Sequence, residues 1–384
     1  MYRVLQVTPQ LNAGGVERTT VEMAEAISRA GGLALVASAG GRLEPELKAA
    51  GGELLRLPVN SKNPLTVWAN ASKLAAFARA HDVNIIHARS RAPAWSAMFA
   101  AHRLRVPFVT TYHGIYNGRT RLKRFYNSVM AKGDVVIANS EYTRRHVLAQ
   151  YKLPSGRVVA IPRGVDLSEF EPNAVSPARI AEIRKQWGVR EGQLAIIAPA
   201  RLTRWKGQLV LIEAAGRLSE RRPHEVKLIF AGDAQGRTDY VHEMMDSISA
   251  RGLQEDVAIL GHMRNIAEAL AASDGAVFPS TDPEAFGRGA IEAGAMGLPV
   301  IAAGHGGLAE TVIDGSTGML TGPGNPVELE AALERLVDMG AAGRSAMGAR
   351  GRAHVTQKFT KEAMQQATLK VYDHVLGLKP GVSG

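Results

Sequence analysis

Apolar runs of four to eight residues recur along the chain, each bounded by Gly, Pro, Asn or a charged residue and followed by a longer segment of helical period. A first series reads YRVLQVTP, LALVASA, VNIIHA, PFVTTYH and DVVIANS; a second reads AIIAPARL, VKLIFAGD, VAILGH, GAVFPS and PVIAA. Runs this short and this apolar suit strands covered on both faces, and their alternation with helices predicts βα units and parallel sheets. The pattern breaks at IPRGVDLSEFEPNAVSPARI, residues 161–180, where prolines interrupt it and a new helix starts near Pro177. Two facing, doubly wound α/β domains are expected, over 1–171 and 172–358. A last helical stretch in 359–384 follows the second sheet with no new strand and is expected to cross back to the first domain.

Length agrees with two cores, since 384 residues exceed what one ordinary core encloses. No window approaches the roughly 18–20 apolar residues of a membrane span, and the opening MYRVLQVTPQ reads as a strand instead of an export signal. The absence of cysteine excludes disulfides and thiolate chemistry and agrees with a reducing compartment. A cytoplasmic chain is expected.

Charge changes the picture more. Residues 1–172 hold 23 Lys and Arg against 12 Asp and Glu, whereas residues 173–384 hold 23 against 24. All of the net +10 therefore belongs to the first half, which suits an anionic partner: nucleic acid, anionic lipid or a phosphorylated substrate. The densest cluster, YNGRTRLKRFYNSVMAKG at 116–133, mixes Arg119, Arg121, Lys123 and Arg124 with Leu122, Phe125, Tyr126, Val129 and Met130. It predicts a basic amphipathic surface helix, either lying on an anionic membrane face or solvated over an ordinary buried stripe. With 5% aromatic residues and no stacking motif, nucleic acid is the weaker partner.

In doubly wound sheets ligands collect at the carboxyl ends of strands, where helix N-termini favour anions. Gly14 and Gly15 lie between the first strand and its helix, where bare backbone can approach a phosphate, or where glycine serves the turn alone. The loop is not GxGxxG, and no Gly-Lys pair occurs, which removes the P-loop. In the second half PARLTRWKG places Arg201 and Lys206 at a helix start, a pairing suited to a diphosphate. Gly232 and Asp233, with Gly261 to Arg264 (Met263 among them), end two further strands and can wall a base pocket. In PSTDPEAFGRGAIEAGAMG, Glu284 precedes a helix, Phe286, Gly287 and Arg288 stand at its start, and Glu292 lies one turn inside. Two carboxylates so spaced can each accept from paired hydroxyls on either side of a held phosphate, as on the sugar and ribose of a nucleotide sugar.

These segments, in order, carry a resemblance. The Gly-Gly loop at 14–15, TTYHG at 110–114, ANSEYTRRHV at 138–147, IPRGVDLSEF at 161–170, ARLTRWKG at 200–207, PEAFGRGAIEA at 283–293 and GGLAETVIDGSTGML at 306–320 together resemble the retaining glycosyltransferases of GT-B fold. That group, of the group 1 or family 4 type, includes bacterial lipopolysaccharide-core, phosphatidylinositol-mannoside and sucrose-related transferases. HARSRAPAWSA and IPRGVD look most like the lipopolysaccharide-core enzymes. The resemblance implies two Rossmann-like domains with a cleft between them, an acceptor domain followed by a donor domain.

It further implies that Arg201 and Lys206 hold the donor diphosphate, that Glu284 contacts the transferred sugar with amides near Phe286 and Gly287, and that Glu292 contacts the ribose. Gly15 is implied beside the donor phosphate and His113 near the anomeric centre. Arg163 departs from the Asn common at its position, which places a cation either beside the cleft or on the surface. The implied reaction is hexose transfer from a donor of GDP-mannose or UDP-glucose type, with retention, onto a glycolipid or oligosaccharide. No carboxylate is evident near His113 and no Asp-x-Asp triplet occurs, so front-face substitution without a metal or other cofactor is expected. A non-catalytic nucleotide-sugar or anionic-membrane binder on the same fold is the alternative.

Overall fold

The computed structural model describes all residues except Ala13, Asn117, Arg119, Arg264 and those from Lys379 onward. The chain divides into two compact units, Met1–Arg163 together with the segment from Lys361, and Gly164–Thr360.

In the first unit, strands β1 (Arg3–Val7), β2 (Leu33–Ser38), β3 (Gly52–Arg56), β4 (Ile85–Ala88), β5 (Phe108–Tyr112), β6 (Val135–Ala138) and β7 (Val158–Ala160) alternate with helices. These are α1 (Gly15–Arg29), α2 (Glu44–Ala49), α3 (Pro64–Ala80), α4 (Arg91–Leu104), α5 (Arg121–Ser128) and α6 (Glu141–Tyr151). The second unit opens with α7 (Pro177–Gln186), whose start is set by Pro177 and by Ser176, which accepts from the Arg179 amide. It continues through β8 (Leu194–Ala198), α8 (Gln208–Arg221), β9 (Val226–Ala231), α9 (Thr238–Ala250), β10 (Val257–Gly261), α10 (Ile266–Ala271), β11 (Gly275–Phe278) and α11 (Arg288–Ala295). It closes with β12 (Val300–Ala303), α12 (Leu308–Thr311), β13 (Gly318–Thr321), α13 (Pro326–Asp338) and α14 (Gly340–Lys358).

Each unit holds one parallel sheet. Their orders are β3-β2-β1-β4-β5-β6-β7 and β10-β9-β8-β11-β12-β13, so both reverse direction beside their first strand. Alternate residues of a strand feed opposite cores. Val4, Ile85 and Val109 point to one side of the first sheet and Leu5, Ile86 and Phe108 to the other. In the second sheet Ile197, Ala276 and Val300 face one core while Ile196, Val277 and Ile301 face the other. Strands covered on both faces need apolar side chains at every position, which is why the central ones read as unbroken runs.

The sequence pattern anticipates ten of these strands, and the structure adds β3, β7 and β13, all at sheet edges. GELLR has no fully buried position, with Glu53 and Arg56 exposed, and three-residue β7 carries exposed Val159, so neither shows a long apolar run. The basic segment at 116–133 is likewise not one helix. Thr120 caps a two-turn α5, accepting from the Lys123 amide, and a buried 3-10 turn follows at Val129–Lys132. Val129 and Met130 belong to the core, whereas Leu122 and Phe125 are exposed, so the apolar residues do not share a stripe.

The final helix, α15 (Lys361–Val375), lies in the first unit. Met364, Val371 and Tyr372 join the core under α1. Gln365 Nε2 donates to the Glu22 carbonyl at 2.7 Å, and the Tyr372 hydroxyl lies 2.7 Å from His87 Nδ1, both groups buried. No described helix is long and apolar enough to cross a membrane. Tyr372→Phe leaves a buried imidazole nitrogen unpaired and is expected to lower unfolding free energy by about 1–3 kcal/mol. Tyr372→Ala, which empties the site, is expected to cost about 3–5 kcal/mol. Urea denaturation of both variants checks this, and a Tyr372→Phe variant as stable as the wild type would mean that the hydroxyl contributes nothing.

Candidate functional site

In the second unit the loops following β8 and β11 come together where the strand order reverses, the position at which such sheets bind ligands. The β8 loop carries Arg201, which is exposed, and passes through a 3-10 turn at Arg204–Lys206 into α8. Gly207 links turn to helix at φ 75°, and a Cβ there would run into the Pro279 carbonyl of the β11 loop. Only glycine permits both the angle and the approach. Lys206 is thereby set against the β11 loop. Its Nζ lies 2.7 Å from Glu284 Oε1, with both side chains 13% exposed, and 4.4 Å from the centre of the Trp205 ring.

Glu284 is fixed from several sides. Ser280 Oγ donates to its Oε1 at 2.6 Å, and its carbonyl accepts from the Gly307 amide at 2.7 Å. With so little water around it, the pair is oriented and weakly screened. Arg201 has no side-chain partner among the described residues. Phe286 is a core residue against Phe359, which positions the amides that follow it, and Gly287 caps α11 at φ 94°. Inside α11, Arg288 Nε donates to Glu292 Oε1 at 2.9 Å. Gly232 and Asp233 end β9; the Asp233 carbonyl accepts from Leu202 N at 3.1 Å, tying that turn to the Arg201 loop. Met263 packs half-buried against the core, and Arg264 lies outside the described residues.

The first unit gathers a second cluster at its own carboxyl edge. Gly14 (φ 145°) and Gly15 follow β1, Arg89 follows β4, His113 follows β5 and Arg163 follows β7. Arg163 is only 8% exposed, which removes the surface alternative for this cation. Its Nη1 donates to the Gly15 carbonyl and, at 2.8 Å, to Thr19 Oγ1, while Nη2 lies 2.5 Å from His113 Nδ1. A Cβ on Gly15 would come 3.0 Å from that Nη1, so the glycine makes room for the guanidinium. Arg89, 2% exposed, donates through Nε and Nη2 to Gln6 Oε1 at 2.9 and 2.7 Å and to the Thr19 carbonyl at 3.0 Å. Burial, then Arg163, Arg89 and His87, hold the His113 pKa well below its ordinary value, and burial followed by Arg89 does the same to His87. Burial raises the Glu17 carboxyl, with Arg163 acting the other way.

Sequence reasoning thus names Lys206, Glu284, Gly15, His113 and Arg163 but misses Trp205, Ser280, Thr19 and Arg89. Arg89 and Ser280 were findable, since each lies just past a strand bordering a reversal point. Arg121, Lys123 and Arg124 stand apart from the cluster, exposed on α5, and Arg119 lies outside the described residues.

Comparison with known proteins decides the family. Residues 13–169 match the model of Glycosyltransferase Family 4 and residues 179–354 that of Glycosyl transferases group 1. A glycosyltransferase of Rickettsia africae is 33% identical, with 98% of each chain covered and a TM-score of 0.90. The chain belongs to the group 1, family 4 glycosyltransferases. It is a nucleotide-sugar glycosyltransferase of GT-B fold. Alr3699/HepE of Anabaena, solved in complex with UDP-glucose, is 26% identical over 97% of this chain and 100% of that one, with a TM-score of 0.83. A D-inositol 3-phosphate glycosyltransferase of Xylanimonas cellulosilytica is 28% identical over 77% of this chain and 73% of its own length. The chain spans 48 to 58% of the length of four further relatives of that description. Two lipopolysaccharide glycosyltransferases share the fold at only 18% and 12% identity, so the likeness to that branch of the family is distant.

Two buried neutral imidazoles give a pH signature. Unfolded, His87 and His113 take up a proton near pH 6.5; folded, they resist it. Below that pH the unfolded chain binds more protons, so stability falls with falling pH by up to about 1.4 kcal/mol per unit for each histidine. Urea denaturation from about pH 7.5 to about pH 5 is expected to show this slope, reduced in His87→Gln. A slope unchanged by that substitution would mean that His87 is charged in the folded chain.

Proposed function

We propose that this chain transfers a hexose, with retention, from a nucleoside diphosphate sugar of UDP-glucose or GDP-mannose type to an anionic acceptor, a lipopolysaccharide core or another glycolipid. The observation that carries this reading is the Lys206–Glu284 pair at the reversal point of the second sheet, beside an unpartnered Arg201. A bound diphosphate competes with Glu284 for Lys206. The released carboxylate then accepts from hydroxyls of the sugar, and Glu292 from those of the ribose. Gly232, Asp233 and Met263 surround the base. As the bond from the anomeric carbon to the diphosphate breaks, charge grows on the leaving oxygens and is met by Arg201 and Lys206, which stand in for a metal. The acceptor oxygen bonds to that carbon on the same face, and its proton passes to a diphosphate oxygen.

The first unit supports an acceptor at an anionic surface. From Leu54 to Gly133 the chain carries 13 Lys and Arg but a single carboxylate, Asp82. Within that stretch, α3, α4 and α5 expose Leu65, Trp68, Phe99, Leu122 and Phe125, with Trp95 in ring contact with both Phe99 and Phe125. Aromatic and aliphatic side chains among cations suit the boundary between headgroups and acyl chains, here the cytoplasmic face of an inner membrane. The relatives described as D-inositol 3-phosphate glycosyltransferases favour a second acceptor class, a small phosphorylated polyol, which would need no membrane.

A panel of nucleotide sugars with EDTA present, scored for slow hydrolysis and thermal stabilisation, is expected to single out one donor, with Lys206→Met weakening its binding by roughly tenfold to hundredfold. Activity abolished by EDTA would overturn the metal-free mechanism. Sedimentation with vesicles containing phosphatidylglycerol is expected to carry the protein down. Changing Arg121, Lys123 and Arg124 to Ser should reduce that binding at least several-fold while leaving donor affinity intact. Unchanged sedimentation would remove the membrane reading and leave the soluble polyol phosphate.

A further inference from the structure

The two ring nitrogens of His113 meet different surroundings. Arg163 Nη2 lies 2.5 Å from Nδ1, and Nε2 is buried without a hydrogen-bond partner among the described residues. A guanidinium offers only donors and keeps its proton at any accessible pH. The Nδ1 it contacts must therefore present a lone pair. An imidazolium would set N–H against N–H, and the neutral form with the proton on Nδ1 would do the same. One form remains, with the proton on Nε2.

From this geometry we infer that Arg163 is a positioning residue that locks His113 as the neutral Nε2–H tautomer, a fixed donor toward a substrate oxygen that cannot serve as the base. This rests on reading the carboxyl edge of the first sheet as part of the sugar-transfer site.

The lock is itself held. Arg163 Nη1 is bound by the Gly15 carbonyl and by Thr19 Oγ1, and Thr19 Oγ1 donates to that same carbonyl at 2.6 Å. Among the described residues, the charged or titratable groups acting on His113 are Arg163, Arg89 and His87, none of them anionic. Glu17, the carboxylate of this edge, acts on Arg163. His113 thus has no carboxylate to stabilise an imidazolium, in contrast to the arrangement of a His–Asp base. Among the described residues the Nε2–H, like the Thr8 hydroxyl just past β1, is buried without a hydrogen-bond partner, and a buried donor without an acceptor is costly enough to point to a ligand oxygen. The acceptor proton must then leave by another route, which agrees with its transfer to the departing diphosphate.

The experiment is nitrogen-15 NMR of histidine-labelled protein, with the His113 signals assigned by their loss in His113→Gln. The wild type is expected to show a protonated Nε2 and a bare Nδ1, unchanged from about pH 8 to about pH 5. Arg163→Met should let His113 mix tautomers and titrate closer to pH 6.5, and kcat should fall roughly tenfold to hundredfold at unchanged donor affinity. Arg163→Gln, whose amide can still donate to Nδ1, should restore much of the tautomer and of kcat. A proton on Nδ1 in the wild type, or spectra of both Arg163 variants identical to it, would overturn the lock, and the wild-type spectrum decides even where Arg163→Met fails to fold. A locked tautomer combined with full turnover in His113→Gln would instead leave the lock standing and remove His113 from the reaction.

Discussion

Parallel strands cannot be joined by tight turns, and that constraint organises both units. Each connection must climb back over the sheet through a helix, which covers both faces and sends every ligand-accessible loop to one edge. At that edge the strand order reverses once per sheet, leaving a gap between two diverging loops. Lys206 and Glu284 meet across one such gap, and Gly15 and Arg89 border the other. A ligand there needs no dedicated cavity, because the winding itself leaves the place uncovered.

The two edges are built on opposite electrostatic terms. In the second unit cation and carboxylate are paired, and each holds the other; in the proposed reaction a charged substrate competes for the cation. In the first unit, Arg89 and Arg163 are buried and held largely by neutral oxygens: the Gln6 amide, Thr19 and backbone carbonyls. Such cations keep their charge while lowering the basicity of neighbouring imidazoles. One edge is a cation–carboxylate pair and the other a set of cations on neutral oxygens, so the two edges answer differently to an added anion.

How much of this was legible follows from what each signal depends on. Central strands announced themselves because burial on both faces demands apolar residues throughout. Edge strands such as GELLR did not, because one side meets water. Lys206 and Glu284 were visible as residue types at helix starts, whereas their contact was not, since 78 positions separate them and only the sheet order brings them together. Arg163 was noticed as a departure from the family pattern, but its burial was hidden: an arginine in a loop reads as exposed until Gly15 and Thr19 are seen to receive it. The basic segment misled because helical period was assumed past Ser128, where α5 gives way to a 3-10 turn that buries Val129 and Met130 and leaves Leu122 and Phe125 exposed.

The placement of α15 carries a consequence for synthesis. Tyr372 completes the core that begins at β1, yet the whole of Gly164–Thr360 is made between them. At about 5–20 residues per second, a ribosome takes roughly 10–40 s to deliver that intervening unit. Throughout that interval the nascent first unit exposes the surface α15 will cover, with His87 lacking its tyrosine. The second unit, continuous in the chain, can close first. Birth order and folding order are thus reversed for the two halves, and the earliest-made unit is the one most in need of protection on the ribosome.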